Sequence, residues 1–252
     1  LKPILPVLQV NPSDLASCAL VVGDPRRAET AAALLENPRQ VGANRAYVTY
    51  TGHYAGQRIT VCSHGVGAAG ASVCFTELLQ GGVQVFIRAG TCGALQPDIE
   101  DGALIIGLAA VREDGTSEQL VPLAYPAYAD PHLILALQTA ARSRKVTWRE
   151  GVIVTQAHLY PGLLPSTIGL WQQAKVAAVE MEYAALLVIA SLNGACAGGI
   201  FVTDGNLARQ SASLSPENYQ PIRPVVENGI QVMLRVALEA LTLQSSLSGA
   251  IP

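Results

Sequence analysis

Three arginines, Arg27, Arg45 and Arg88, lie far apart in the chain, yet each sits in a stretch marked by glycine or proline and reads as part of its own loop. Guanidinium forks match phosphate oxygens bidentately, and each such charge-assisted bond contributes about 1.5 to 3 kcal/mol. Converging, the three would trap a small doubly charged anion, and a phosphate used as a reactant is the leading chemistry. Spacing alone also allows surface arginines with no common ligand. Arg27 closes Gly23-Asp24-Pro25-Arg26-Arg27 after the apolar run at 19–22, and Arg88 opens Arg88-Ala89-Gly90-Thr91-Cys92-Gly93 after the run at 83–87. Both read as strand-to-loop exits, where α/β proteins place their ligands.

Two further clusters carry acids. In Val179-Glu180-Met181-Glu182 a methionine separates two carboxylates where an apolar strand gives way to a helix. A carboxylate accepts hydrogen bonds from both hydroxyls of a vicinal diol such as that of ribose, with the methionine packed on the sugar face. Acids favoured by the dipole at a helix N-terminus are the plainer alternative. Asp204, followed by Gly205, stands at the end of another apolar run, a good position for a general acid or simply an Asx-type turn.

The elements that must position these groups alternate. Strands are expected at 19–22, 58–62, 83–87, 103–111, 151–154, 176–179 and 197–202, and helices at 26–36, 68–80, 132–144, 182–193 and 224–241. The alternation predicts an α/β fold: one domain over 1–252, a mostly parallel or mixed central sheet with helices on both faces, in three α/β/α layers. Residues 243–252 read as a frayed tail, and 205–224, rich in Ser, Asn, Gln and Pro, as a mobile lid or a plain surface loop.

Composition limits what else the chain does. Of 252 residues, 50% are hydrophobic and 14% charged, enough for a sizeable core, and the net charge of -3 leaves any anion site local. Extended nucleic-acid binding is disfavoured. The five cysteines show no CxxC pair and no zinc-type spacing with histidine, which suggests a reduced cytoplasmic setting; no metal site is assigned. With no signal-type segment and no apolar run of spanning length, a soluble protein is expected, without a membrane role. Gly65-Val66-Gly67-Ala68-Ala69-Gly70 matches G-x-G-x-x-G, but the following strand ends in Arg88 where a dinucleotide fold needs an acid. Tight helix-on-sheet packing is the preferred reading of those glycines. No nucleophile-elbow context supports an acyl-enzyme hydrolase.

Taken together, Gly23-Asp24-Pro25-x-Arg27, Asn44-Arg45, Ser63-His64-Gly65-Val66-Gly67, Arg88 to Gly93, Ala110 to Asp114, Val179 to Glu182 and Asp204-Gly205 resemble the nucleoside phosphorylase superfamily over about residues 8 to 240. The chain is most similar to the hexameric purine enzymes of the apicomplexan type, and next to uridine phosphorylases. The resemblance implies a pentosyltransferase with inorganic phosphate as co-substrate and no cofactor. It puts phosphate on Gly23, Arg27, Arg88 and Thr91, with Arg45 supplied across a dimer interface in a homohexamer built as a trimer of dimers. It puts the nucleoside against Cys92, Gly93, Tyr160, Val179, Glu180, Met181 and Glu182, with Glu182 on the ribose diol and Asp204 serving the purine N7. Arg88 and Asp204 would be the catalytic pair.

Two places bear on the base. In uridine phosphorylases a Gln-Glu-Arg segment that reads the uracil edge follows Tyr-Pro-Gly; here Tyr160-Pro161-Gly162 precedes Leu163-Leu164-Pro165. The aspartate at 204 is a purine-type feature, so the resemblance favours 6-oxopurine nucleosides. Where related enzymes often use a histidine for the ribose 5'-hydroxyl of the adjacent subunit's substrate, this chain has Val7, which implies tolerance for 5'-deoxy or 5'-methylthio substrates. Arg209 and Arg223 are candidates for an arginine that assists the acid.

Overall fold

The computed structural model describes residues 3–209 and 214–248. Two Asp-Pro pairs start helices by the same device. Asp24 caps α1 (Pro25–Ala32) through a 2.9 Å bond from the Arg26 amide, and Asp130 caps α3 (Pro131–Ser143) through the His132 amide at 2.9 Å. In each the proline occupies the first turn, where its missing N–H costs nothing. The helix α5 (Tyr183–Leu192) is buried at its first eight positions, so it has no polar face there and only its C-terminal end reaches solvent.

Among the described residues the strands form one ten-stranded sheet. Its parallel centre is β1 (Cys18–Val22), β4 (Gln57–Ser63) and β5 (Val85–Ala94). β10 (Cys196–Asn206) runs parallel to β5 and antiparallel to β6 (Leu104–Glu113); β6 joins β8 (Trp148–Gln156), β8 joins β9 (Ala178–Glu180), and β9 returns to β5. The sheet thus closes on itself around these five strands, a feature the strand pattern did not announce. The short β7 (Ala127–Tyr128) lies on β6. Two apolar cores flank the sheet. α2 (Ala68–Gly81) and α5 supply one through Cys74, Phe75, Leu78, Leu187 and Val188, while α1, α3 and α6 (Pro224–Ser248) supply the other through Ala28, Leu133, Leu137, Met233 and Leu234. The expected three layers around a mixed sheet are present.

Several expected boundaries differ. The helix expected to reach residue 36 ends at Ala32, because β2 (Glu36–Asn44) begins there and forms a hairpin with β3 (Tyr47–Tyr54). That hairpin gave no sequence signal because β2 is a largely exposed edge strand containing Pro38 and lacks apolar alternation. A short helix, α4 (Ile168–Gln173), also went unanticipated and buries no residue. The tail expected to fray is helical as far as Ser248, and 249–252 lie outside the described residues.

Candidate active site

Of the three arginine loops expected, only one is a loop. Arg27 lies in the first turns of α1, and the Arg88-to-Gly93 motif lies inside β5, paired with β10 from Arg88 opposite Gly199 to Gly93 opposite Gly205. The extra strand length comes from a second partner, β10, which sequence periodicity cannot see. Arg45 alone sits at a turn, at the tip of the β2–β3 hairpin, exposed and with a left-handed φ of 53°.

Asp204 is not at a strand end either. Thr203 pairs with Cys92 and Gly205 with Gly93, so Asp204 is the extra residue of a β-bulge within β10. A bulge leaves its residue unpaired and re-aims the side chain, and such irregularities cluster next to active sites. The carboxyl is buried, and burial raises its pKa above the ordinary carboxylate range against the opposing pull of Tyr219, Thr91 and Arg27.

Arg88 is almost fully buried on β5, and its side chain folds back over Gly90, where a Cβ would stand 2.9 Å from a guanidinium nitrogen. That close approach accounts for the glycine two residues on. The guanidinium donates through Nε to Glu180 Oε2 at 2.9 Å, through Nη1 to His64 Nε2 at 2.8 Å, and through Nη2 to Glu182 Oε2. Burial works against its charge, but Glu182 and Glu180 outweigh it and hold Arg88 protonated.

The two carboxylates are not equivalent. Glu180 also accepts from Thr155 Oγ1 at 2.6 Å and from the Glu182 and Tyr183 amides at 2.9 Å, so both its oxygens are committed to protein donors and it caps α5. Glu180, expected among the nucleoside contacts, holds Arg88 and starts the helix. Among the described residues Glu182 hydrogen-bonds with Arg88 and the Gly67 amide alone, the latter at 2.5 Å. Burial raises the Glu182 carboxyl, and Arg88 opposes that shift. Gly67 has a φ of 91°, and a Cβ on it would meet nothing within 4 Å, so this glycine serves to aim an amide at Glu182 and not to pack helix on sheet as expected.

His64 is the functional-site residue that the sequence reading left unassigned, although it lies within the Ser63-to-Gly67 motif. Because Arg88 can only donate, His64 Nε2 accepts, and the proton therefore sits on Nδ1, which donates to Gly65 O at 2.8 Å. Burial first, then Arg88, pushes its pKa well below the usual histidine value.

Arg27 makes no hydrogen bond or ion pair among the described residues. Burial and the neighbouring Arg88 depress its pKa, while Asp24, Asp204 and Tyr219 raise it. It also acts electrostatically on His64 and Glu182, so it stands between the acid on β10 and the arginine cluster on β5. Thr91, Gly93, Val179 and Met181 are half-buried around this region, Cys92 is buried, and Tyr160 is exposed. Gly93 opposes Val179 in the β5–β9 pairing, which brings two of the expected base contacts together. Of the candidate helper arginines, Arg209 forks Glu100 at 2.7 and 2.6 Å, and Arg223 donates to the Asp204 main-chain oxygen at 2.8 Å and to Asp101 at 2.5 Å. Neither reaches the Asp204 carboxylate. Besides Thr91, the group that does is Tyr219, whose hydroxyl lies 2.7 Å from Oδ2 and for which the sequence held no signal. Among the described residues no cluster of His, Cys, Asp or Glu could hold a metal, and no helix is long and apolar enough to cross a membrane.

An arginine unpaired among the described residues, a buried arginine shared by two carboxylates, and a bulged acid come together with the chemistry to hold an anion and a polar ligand. The profile of the phosphorylase superfamily matches residues 17–241, and the chain belongs to that superfamily, specifically to its nucleoside phosphorylases. It is an enzyme of the pentosyltransferase class. A purine nucleoside phosphorylase of Plasmodium falciparum is 40% identical over 200 residues, covering 79% of this chain and 82% of the relative. A uridine phosphorylase of Haemophilus influenzae is 35% identical over 240 residues, covering 90% and 94%. The crystal structure of the Toxoplasma gondii purine nucleoside phosphorylase in complex with immucillin-H superposes with a TM-score of 0.91 at 30% identity, covering 97% of this chain and 98% of that one.

Proposed function

We propose that the protein is a purine nucleoside phosphorylase that converts 6-oxopurine nucleosides such as inosine and guanosine, with phosphate, into free base and ribose 1-phosphate, as a step of purine salvage. The observation that carries the reading is Asp204: an acid with a raised pKa, re-aimed by a bulge, beside the free guanidinium of Arg27. A phosphate oxygen forms the bond to C1' as the C1'–N9 bond breaks, and the electron pair leaves with the base. Asp204 supplies the proton or hydrogen bond that N7 needs, and the phosphate charge stabilises the oxocarbenium-like carbon. Glu182 holds the ribose diol, Gly23, Arg27, Arg88 and Thr91 hold the phosphate, and Cys92, Gly93, Tyr160, Val179 and Met181 border the nucleoside. Leu163 and Leu164, both exposed after Tyr160-Pro161-Gly162, offer no amide or guanidinium to a uracil edge.

Within one chain Arg88 is already matched by two carboxylates, which leaves Arg27 as the unmatched charge at this site among the described residues. This supports Arg45, exposed and unpaired at its hairpin tip, acting in a neighbouring subunit's site, within a hexamer built from dimers. Five free thiols support a reducing, cytoplasmic setting. Free-base release from inosine, guanosine, adenosine and uridine, with and without phosphate, tests the reading. Phosphate-dependent release from inosine and guanosine is expected; activity on uridine alone, or activity without phosphate, would overturn it.

A further inference from the structure

The segment at 214–223 places a phenol on the acid, and phosphorolysis through Asp204, Arg27 and Glu182 leaves that phenol without a role. Its turn is internally bonded: the Tyr219 amide donates to Ser215 O at 3.1 Å, and the Ser215 amide to Asn218 Oδ1 at 2.8 Å. Four residues on, Arg223 ties the same segment to the Asp204 main chain at 2.8 Å and to Asp101. Two points of the segment, its middle and its C-terminal end, therefore dock on one residue of β10, and Tyr219 OH reaches Oδ2 at 2.7 Å from a half-buried position.

We propose that Tyr219 is a positioning residue for the leaving-group acid: by donating to Asp204 Oδ2 it directs the acid's own proton to Oδ1. A neutral carboxyl has one hydroxyl and one carbonyl oxygen, and the carbonyl oxygen is the better acceptor, so a phenol fixed on Oδ2 favours the tautomer with its proton on the other oxygen. Rotation of the carboxyl is restrained by the same bond, which keeps that proton aimed at one place. The inference rests on the purine reading, since it concerns protonation of N7.

A second consequence follows from the charges around the acid. Asp204 is faced by Tyr219 and Arg223 from the 214–223 segment, by Thr91 and Cys92 from β5, and by Arg27 from α1. A donor on Oδ2 favours the ionised form, so its removal raises the acid's pKa further. Tyr219→Phe deletes one oxygen and keeps the ring.

The experiment compares wild type and Tyr219→Phe on inosine and on 7-methylinosine, whose base already carries a positive charge and departs without a proton at N7. Inosine turnover is expected to fall by about tenfold, with KM for phosphate unchanged and the alkaline limb of the kcat profile moved to higher pH. Turnover of 7-methylinosine is expected to stay at the wild-type level, which also shows that the variant is folded. Equal losses on both substrates, or an inosine rate and pH profile matching wild type, overturn the positioning role alone. A wild-type enzyme inert toward inosine overturns both this role and the purine reading.

Discussion

Arg88 is shared between two carboxylates of different freedom: Glu180, whose oxygens are filled by Thr155 and two helix amides, and Glu182, which among the described residues otherwise hydrogen-bonds only with the Gly67 amide. Glu180 is thus the fixed partner and Glu182 the exchangeable one. If, as proposed, a ribose diol donates to Glu182 in place of Arg88 Nη2, that nitrogen, still 2.9 Å from Glu180 Oε2, gains a free direction for phosphate. Nucleoside and phosphate should therefore tighten each other's binding, by the reciprocity of coupled sites. Glu182→Gln is expected to lower kcat/KM for inosine by about 10- to 100-fold, the equivalent of one or two charge-assisted hydrogen bonds. Calorimetric phosphate binding, with and without a nucleoside analogue, checks the coupling. In the variant the two titrations should coincide, and a coupling as large as that of wild type would remove Glu182 from the exchange.

His64 gives the site a pH-dependent stability of known sign. Its folded pKa is depressed, by burial and then by Arg88, whereas an unfolded histidine titrates near 6.5. Above that value both states are neutral and the residue contributes no pH dependence. As pH falls below it, the unfolded chain takes a proton that the folded chain refuses, so stability drops by about 1.4 kcal/mol per pH unit until the folded value is reached. His64→Gln keeps an acceptor for Arg88 and a donor for Gly65 O but cannot titrate. Urea denaturation at pH 7 and pH 5.5 should show a smaller acid loss in the variant than in wild type; equal losses would mean that His64 carries a proton in the folded state.

How far the sequence disclosed this site depends on whether local pattern or distant partners shape each residue. Asp24-Pro25 and Asp130-Pro131 announced two helix starts because capping is local chemistry. Apolar runs announced the cores of β1, β5 and β10 but not their ends, since the strands extend through Arg88 to Gly93 and past Asp204 by pairing with each other. The β2–β3 hairpin was hidden by an exposed edge without alternation, although Arg45 at its tip was singled out for its type. Glu180 and Glu182 looked alike in sequence, and only the donors around them, Thr155 on β8 and Gly67 before α2, separate their roles. Tyr219 lay unmarked in a proline-flanked loop, because nothing local relates it to an aspartate fifteen residues earlier.

Asp204→Asn should separate leaving-group chemistry from anion binding. The amide keeps the shape and can still hydrogen-bond N7, but it cannot deliver a proton, and general acid catalysis contributes about 10²- to 10⁴-fold. Inosine turnover is expected to fall within that range while phosphate affinity changes little, because Arg27 and Arg88 are untouched. Removing a buried carboxyl of raised pKa also removes the alkaline limb that its ionisation would impose on kcat. Near-normal turnover of inosine, or an unchanged alkaline limb, would take Asp204 out of the mechanism.

At the 5' end of the sugar the N-terminal segment comes into play. Val7 is held at its amide by Glu77, at 2.9 and 3.1 Å to the two oxygens, and at its carbonyl by Asn44 Nδ2 at 2.8 Å, and Asn44 is the neighbour of Arg45. Glu77 is buried and also accepts from the Leu8 amide at 2.8 Å, so the N-terminal segment and the hairpin tip form one unit. If Arg45 enters a neighbouring subunit's site, Val7 enters with it and presents an apolar side chain where a 5'-hydroxyl would seek a hydrogen bond. A methylthio group buries apolar surface there, at about 0.8 kcal/mol per methylene equivalent, and offsets the lost hydroxyl contacts. The wild-type kcat/KM for 5'-methylthioinosine should lie within about tenfold of that for inosine, and Val7→His should shift the ratio toward inosine by a similar factor. A wild type that strongly prefers inosine, with a ratio unmoved by Val7→His, would place Val7 away from the 5' pocket.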